Sequence, residues 1–316
     1  MDPVPVYVGI DVAKATLMIA VRPTGTCWET TNEPRTIAAL VRRLRTLGPT
    51  RIIIEATGRY HVPVHRALAA VGLPVAVVNP RQTRAFAKTL NRLAKTDTID
   101  AHVLAHYAEV IPSRLTPVPD DATCALHDLV VRRRQLIDMR TAESNRLDGA
   151  SVAAARRLRR SLSWLARELA DVERELAQVL QQPLFQERVS ILTSVPGIGA
   201  QSAATLVTEL PELGHLSHKQ LAALVGVAPL NRDSGAFRGR RTTWGGRRTV
   251  RSALYMPTLA AIRFNHEIRT FNQRLVAAGR PKQLAVIACE HKLLTILNAL
   301  VTQHRLWEDL RPSCAA

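Results

Sequence analysis

Val6-Tyr7-Val8-Gly9-Ile10 and Arg51-Ile52-Ile53-Ile54-Glu55 are the two stretches that decide the fold of this chain. Both are short and almost continuously apolar, as expected of strands that are buried in a sheet. Each has an acidic residue at its end: Asp11 directly follows the first stretch, and Glu55 closes the second. The sequence therefore predicts a sheet that carries carboxylates at the ends of two of its strands.

The pattern around these stretches predicts an α/β domain over residues 1–115. Further strands are expected near residues 17–21, 26–31 and 74–78, and helices over residues 36–47, 61–71, 80–93 and 97–109. Strands that come first in series and then alternate with helices are typical of a mixed sheet covered by helices. Three prolines end this unit: Pro112, Pro117 and Pro119.

Residues 116–184 form a segment with a leucine repeat. Its apolar positions step alternately by four and three residues: Leu158, Leu162, Leu165, Leu169, Val172, Leu176 and Val179. An apolar residue every 3.5 positions is typical of a coiled coil or a long helical hairpin, and the alternative is a helix packed on its own domain. We expect a helical spacer that joins chains into a homo-oligomer, and a mostly helical domain over residues 185–316.

The charge of the chain indicates a polyanionic partner. The formal net charge is +17, and 37 of the 43 basic residues are arginine. Residues 1–115 carry +7 and residues 185–316 carry +9, whereas residues 116–184 carry only +1. A genome that favours arginine would explain arginine over lysine but not the shortage of acidic residues, so nucleic acid is the expected partner.

Several classes of protein are disfavoured. The four cysteines lie far apart and form no CxxC pair, which argues against a zinc ribbon or a disulfide framework. The first residues lack the pattern of a signal peptide, and charges interrupt every long apolar stretch before it reaches membrane-spanning length. We therefore expect no membrane partner and a cytoplasmic location.

Four carboxylates are candidates for a metal site: Asp11, Glu55, Asp97 and Asp100. Asp97 and Asp100 are three residues apart, so both fall on one face of a helix. Converging carboxylates repel one another unless cations join them, and Mg²⁺ (or Mn²⁺) pairs serve this purpose in phosphoryl transfer. Taken singly, Asp97 could instead be a helix N-cap and Asp11 a turn residue.

Two HxxxH pairs, His61/His65 and His102/His106, are weaker candidates for a metal site. Each pair could present two imidazoles on one helix face to zinc. No HExxH glutamate accompanies them and no third ligand is evident, so we interpret these histidines as packing or nucleic-acid-contacting residues.

The C-terminal domain contains two candidate phosphate-binding elements. Val195-Pro196-Gly197-Ile198-Gly199 resembles the turn of a helix-hairpin-helix module, in which glycines such as Gly197 and Gly199 let backbone amides approach a phosphate; a plain interhelical turn is equally compatible. The loop at residues 226–248 is rich in glycine and arginine, which suits contact with a phosphate backbone. The candidate phosphate contacts lie in this loop and at the start of the helix that follows it: Arg232, Arg238, Arg240, Arg241, Arg247, Arg248 and Arg251.

Ser234 lies in this loop and is a candidate nucleophile. A serine flanked by glycine and arginines could attack a phosphodiester whose charge the guanidinium groups neutralise. Most loop serines are solvated turn formers, and Tyr255 is a rival nucleophile, so the residues alone leave this role open.

The ordered motifs resemble those of the DEDD transposases from bacterial insertion sequences of the IS110 family, relatives of the Piv invertases. The N-terminal motifs are residues 9–14 (GIDVAK), 55–61 (EATGRYH) and 95–101 (KTDTIDA); the C-terminal ones are residues 195–199, 226–229, 234–235, 245–248, 251–256, 292–294 and 297–300. They span nearly the whole chain in order. His266, where the family often has proline, departs from the pattern and touches no supposed catalytic role.

The resemblance implies a function as well as a fold. It implies a RuvC-like RNase H domain with Asp11, Glu55, Asp97 and Asp100 as its acidic tetrad, and a C-terminal transposase domain with Ser234 as nucleophile, as in a serine recombinase. It further implies guidance by a structured noncoding bridge RNA that pairs with donor and target DNA. The alternative is a RuvC-like nuclease or junction resolvase without a covalent protein–DNA intermediate. Because a long helical spacer separates tetrad and serine, we expect one subunit's tetrad to act with another's serine.

Overall fold

The computed structural model describes residues 4–92, 94, 96–118, 120–231, 233–234, 237–239 and 241–310, with the backbone alone of Phe237, Arg238 and Leu310. The chain divides into two compact units, residues 1–119 and residues 120–316.

The first unit is a mixed α/β fold, as the sequence predicts. Its elements are β1 (Tyr7–Val12), β2 (Thr16–Arg22), β3 (Cys27–Thr31), α1 (Pro34–Leu47), β4 (Arg51–Glu55), α2 (Val62–Ala70), β5 (Val75–Val78), α3 (Pro80–Thr89) and α4 (Asp97–Val110). The sheet order is β3-β2-β1-β4-β5; β1, β2 and β3 are antiparallel, and β4 runs parallel to β1 and β5. Every strand and helix expected over residues 1–115 is present, with ends that differ by a few residues.

Two apolar layers cover the sheet. On one face, Ile10, Leu17 and Ile54 pack with Leu40 of α1 and Leu68 of α2. On the other face, Ile53 and Ala76 pack with Leu104, Tyr107 and Ala108 of α4. Because successive residues of a strand point to opposite faces, this alternation assigns each residue of β1 and β4 to a layer.

The second unit is almost entirely helical. Its helices are α5 (Asp121–Leu147), α6 (Val152–Leu180), α7 (Pro183–Ser194), α8 (Ala200–Glu209), α9 (His218–Val225), α10 (Arg248–Phe264), α11 (His266–Ala277) and α12 (Lys282–Gln303), followed by a 3-10 turn (Trp307–Leu310). Four two-residue strands lie between α9 and α10: β6 (Pro229–Leu230), β7 (Asp233–Ser234), β8 (Phe237–Arg238) and β9 (Thr242–Thr243).

Helix α12 is the one described helix whose length and composition would suit a membrane span. Glu290 and Lys292 interrupt its apolar run, in agreement with the expectation that charges divide every long apolar stretch. Leu293, Leu297 and Leu300 of this helix are fully buried in the core of the second unit. A helix that contributes many leucines to a protein core passes the same test of length and composition, so this burial explains its hydropathy.

The leucine repeat of α6 forms the inner face of a helical hairpin. Leu165, Leu169 and Val172 pack against Leu136 of α5 within the same chain. Leu126 of α5 and Leu176 of α6 pack into the core formed with helices α7 to α12. The hairpin therefore packs as part of the second unit, and the repeat is filled by α5, so it gives no ground for pairing of chains or for a site shared between them.

This packing predicts that Leu169→Ala lowers the free energy of unfolding by about 2–5 kcal/mol, the usual cost of emptying a buried leucine site. Leu169 is 6% exposed, whereas Leu162 is only half-buried, so Leu162→Ala should cost distinctly less. Urea denaturation measures both. Unchanged stability of Leu169→Ala, together with loss of a dimer in sedimentation, would show that the repeat joins two chains instead of two helices.

Candidate active site

Asp11 and Glu55 lie side by side at one edge of the sheet. The parallel register pairs Ile10 of β1 with Ile54 of β4, and each strand continues by one residue into its carboxylate. Opposed residues of neighbouring strands point to the same face, so both carboxylates lie on the face that α4 covers. Asp11 is a strand residue paired with Met18 of β2, and the turn-residue alternative for it is wrong.

Gly9 lets α4 approach this face closely. A side-chain methyl group at position 9 would overlap the backbone of Ala101 and Ala105 and lie 2.7 Å from the carbonyl carbon of Leu104. Ala101 and Ala105 are fully buried against Ala20, which pairs with Gly9 across β1 and β2. Small residues on both sides thus set the distance between helix and sheet.

The first turn of α4 carries the other two carboxylates. The Thr96 hydroxyl accepts a hydrogen bond from the amide of Ile99 and is the N-cap, so the N-cap alternative for Asp97 is wrong. Asp97 is the first residue of the helix and Asp100 lies one turn further on. The close contact at Gly9 therefore brings this helix start to the ends of β1 and β4.

The electrostatics of Asp11 show that the four carboxylates share one environment. Burial and the negative charges of Asp100, Glu55 and Asp97, in that order of size, together raise the pKa of Asp11 from 3.8 to about 6. Nearby like charges disfavour ionisation, so the tetrad is a place where a bound cation would be strongly favoured.

Glu55 is held by a residue that sequence reasoning missed. The hydroxyl of Thr83, on α3, donates a hydrogen bond of 2.6 Å to Oε2 of Glu55, and Thr83 is 3% exposed. No local motif marks this threonine. Gly9 did carry a signal, because a glycine inside an apolar strand often marks close approach of another backbone.

The donor set fits a hard divalent cation, since all four candidate ligands are carboxylates. Asp11, Glu55, Asp97 and Asp100 would hold it. Within the described part of the chain, no three carboxylate, histidine or cysteine side chains form a group that could hold an ion as they stand. The four side chains thus converge without forming a closed ligand cage.

The HxxxH pairs are engaged in packing. His65 is 4% exposed, and its Nε2 lies 3.0 Å from the carbonyl oxygen of Thr116. The ring of His106 packs edge-on against Phe86 with 5.4 Å between ring centroids. These contacts favour the packing interpretation of the two residues over zinc.

Ser234 lies on a β-hairpin, the serine arm (residues 229–243), in place of an irregular loop. Pro229 and Leu230 of β6 pair with Thr243 and Thr242 of β9. Further out, β7 pairs with β8, and Ser234 lies opposite Phe237. Ser234 is exposed, so its hydroxyl is accessible.

The base of the serine arm is closed by tight backbone contacts. Side chains at Gly226 and Gly246 would each overlap the backbone of the opposite segment, so both positions require glycine. The guanidinium of Arg251 donates to the carbonyl oxygens of Gly245 at 2.7 Å, Val225 at 3.3 Å and Gly226 at 3.4 Å.

Glu290 lies buried near Arg251 and is another residue that sequence reasoning missed. It is 2% exposed, and its Oε1 has no hydrogen-bond partner among the described residues. Burial, partly offset by the charge of Arg251, raises the pKa of Glu290 to about 7.

Two of the arginines predicted to bind nucleic acid have protein partners instead. Arg251 closes the arm, and Arg247 forms two hydrogen bonds of 2.5 Å with Glu212 and one of 3.0 Å with the carbonyl oxygen of Glu209. Arg241 and Arg248 are exposed. Arg232 and Arg240, and the side chain of Arg238, lie outside the described residues.

The two glycines of the 195–199 turn differ in the space around them. A side chain at Gly197 would collide with the backbone of Ala261 in α10, so Gly197 faces the core and the interhelical-turn interpretation holds for it. Gly199 is the N-cap of α8, and a side-chain methyl group added there would meet no atom within 4 Å. Its phosphate contact stays a prediction.

Comparison with known proteins identifies the class. Residues 8–150 match the model of the IS110-type DEDD transposases, and residues 189–273 match the model described as Transposase IS116/IS110/IS902 family. The two matches follow in order and cover most of the chain. The protein is thus a DNA transposase or recombinase, an enzyme.

The relatives agree with this assignment. The chain is 29% identical over 316 residues to the pilin gene-inverting protein of Moraxella bovis, covering 95% of this chain and 96% of the relative. It is 27% identical to the transposase of insertion sequence element IS1328 from Yersinia enterocolitica, and the alignment covers 65% of this chain and 68% of the relative. The chain belongs to the IS110-family DEDD transposases, which cut and rejoin DNA. The expected class name serine recombinase is wrong, because the family is defined by its DEDD tetrad; the role of Ser234 as a nucleophile stays a prediction.

Among solved structures, the match to RuvC of T. thermophilus in complex with a Holliday junction substrate covers 36% of this chain and 100% of the RuvC chain. The sequence identity is 18% and the TM-score is 0.27, which is too low to define a common fold.

The raised pKa of Asp11 predicts a metal-dependent and pH-dependent stability. A carboxyl whose pKa is raised on folding stabilises the folded state below its ordinary pKa of 3.8, and this stabilisation is lost as the pH rises through about 6. In EDTA at pH 8, Asp11→Asn should therefore melt above the wild type, and at pH 4 the two should converge.

Addition of Mn²⁺ at pH 8 should raise the melting temperature of the wild type and leave Asp11→Asn almost unchanged, because binding to the folded state stabilises it. Asp148→Asn, in the turn between α5 and α6, is the matched control and should respond like the wild type. Equal Mn²⁺ shifts for all three proteins would place the metal elsewhere.

Proposed function

We propose that this transposase cleaves DNA at a Mg²⁺ (or Mn²⁺) site held by Asp11, Glu55, Asp97 and Asp100, and that residues 1–119 are a RuvC-like RNase H domain. The observation that carries the proposal is the convergence of three negative charges on half-buried Asp11 at the end of β1. The order of the five strands supports the fold assignment.

The residues of the tetrad have distinct parts in this chemistry. Bound divalent ions would stabilise the attacking and leaving oxygens of a phosphodiester. Strands β1 and β4 hold Asp11 and Glu55 at neighbouring positions, and Thr83 fixes one oxygen of Glu55, so that carboxylate keeps a single orientation. Asp97 and Asp100 come with the first turn of α4.

We further propose that Ser234 forms a transient bond to DNA. Its Oγ would attack the phosphorus, the Oγ–P bond would form as one P–O bond to a deoxyribose breaks, and the serine proton would pass to the released hydroxyl. The bond energy is then conserved for rejoining. The exposed position of Ser234 on an arm with a closed base supports this role. Exposed Arg241 and Arg248 are the described side chains available to neutralise phosphate.

Guidance by a structured RNA and assembly into a homo-oligomer are also proposals. Base pairing with a guide would supply sequence recognition, while the protein would make mainly backbone contacts. The cationic first and last parts of the chain are compatible with this division. Sequencing the RNA that copurifies with the protein tests it: one structured species encoded beside the element is expected, and bulk cellular RNA would argue against a guide.

The two proposed catalytic groups predict different mutant phenotypes. Asp11→Ala and Ser234→Ala should each reduce recombination by about a thousandfold or more, since both groups act on the reacting phosphate. Only Asp11→Ala should also lose the Mn²⁺-induced rise in melting temperature. Trapped reactions should contain a DNA adduct on the peptide that includes Ser234, as detected by denaturing gels and mass spectrometry.

Tyr255→Phe is the control for the rival nucleophile and should recombine normally. An adduct on Tyr255 would transfer the role to that residue. Cleavage by Ser234→Ala at the wild-type rate, with no adduct in either protein, would favour the metal-dependent nuclease or junction resolvase.

A further inference from the structure

Helix α6 carries an arginine stripe (Arg156, Arg159, Arg160 and Arg167, with Ser163 between them) on one exposed face. These residues line a shallow groove together with Val152. Steps of three and four residues keep such side chains on one face of a helix, here the face opposite the leucines that pack against α5.

The stripe has no counter-charges of its own. Residues 152–167 contain no acidic residue. Across the described chain, none of the four arginines forms an ion pair. Other arginines of the hairpin are paired: Arg133 with Glu173, Arg134 with Glu209, Arg146 with Glu143 and Arg174 with Asp171. The positive end of the helix dipole, at Ser151, adds to the same field.

We propose that the arginine stripe binds the phosphate backbone of duplex DNA, as a contact separate from both the tetrad and the serine arm. From Arg156 to Arg167 the helix rises by about 16 Å at 1.5 Å per residue. The major groove of B-DNA is about 12 Å wide, so the ends of the stripe reach phosphates on both sides of one groove.

The composition of the stripe favours a duplex over a single strand. Arginine forms bidentate hydrogen bonds with phosphate, whereas single-strand binding uses aromatic platforms on which bases stack. The stripe itself contains no aromatic residue; Trp164 lies beside it at 45% exposure. The inference rests on the DNA substrate of the family and not on the guide RNA or on Ser234.

The test is the salt dependence of binding to a 30-base-pair duplex of random sequence, measured by fluorescence anisotropy with the full-length protein in EDTA. Each lost phosphate contact lowers the slope of log K against log salt by about 0.9. The triple variant Arg156→Gln, Arg159→Gln, Arg167→Gln should therefore have a slope smaller by about 2.7. The matched control Arg35→Gln, Arg42→Gln, Arg45→Gln removes the same charge from exposed positions of α1 and should change the slope less.

A second triple variant, with lysine at positions 156, 159 and 167, keeps the charge and should restore most of the slope. Equal slopes for the glutamine triple and the wild type would overturn the proposal, and so would equal losses in the glutamine triple and the α1 control. A loss confined to a structured RNA hairpin, with duplex DNA bound normally, would also overturn it, because the stripe would then be an RNA surface. The Mn²⁺-induced rise in melting temperature should be the same in the glutamine triple as in the wild type, which separates this result from failure of the tetrad.

Discussion

The close approach of α4 to β1 at Gly9 is the contact on which the convergence of the four carboxylates in the first unit depends. No other residue type leaves room there for the backbone of Ala101 and Ala105. On α4 the contact begins at Ala101, the residue after Asp100, and on β1 Gly9 lies two residues before Asp11. A shift of the helix away from the sheet would therefore separate the carboxylates without altering any of them.

The serine arm depends on a similar constraint, built from different residues. Glycine–glycine contact at Gly226 and Gly246 brings two backbone segments together, and Arg251 satisfies the carbonyl groups that this contact leaves unpaired. Buried carbonyl groups without partners are costly, so Arg251 has a structural use at the base of the serine arm. The arginine-rich segment around the serine arm thus contains exposed side chains, such as Arg248, beside an arginine that holds the backbone, Arg251.

The sequence allowed the strands, the helices and the four carboxylates to be predicted, because apolar periodicity and strand ends are local features. It did not show that Arg247 would pair with Glu212, 35 positions away, or that Thr83 would bind Glu55. The leucine repeat correctly predicts one side of a helical interface, but its partner, α5, lies within the same chain. A 3.5-residue period does not specify which helix packs against it. The net charge of residues 116–184 is only +1, so it gave no sign of the arginine stripe. The acidic residues that balance the arginines all lie outside residues 152–167.

The most direct test of the central claim is Mn²⁺ binding to Gly9→Ala, measured by titration calorimetry at pH 8. This variant keeps all four carboxylates and adds only a methyl group. If the approach of α4 assembles the site, Gly9→Ala should lose Mn²⁺ binding as completely as Asp11→Asn while its circular dichroism still shows a folded protein. Gly199→Ala, whose methyl group meets nothing within 4 Å, should bind like the wild type. Wild-type affinity in a folded Gly9→Ala protein would contradict the account, because the carboxylates would then converge without the contact.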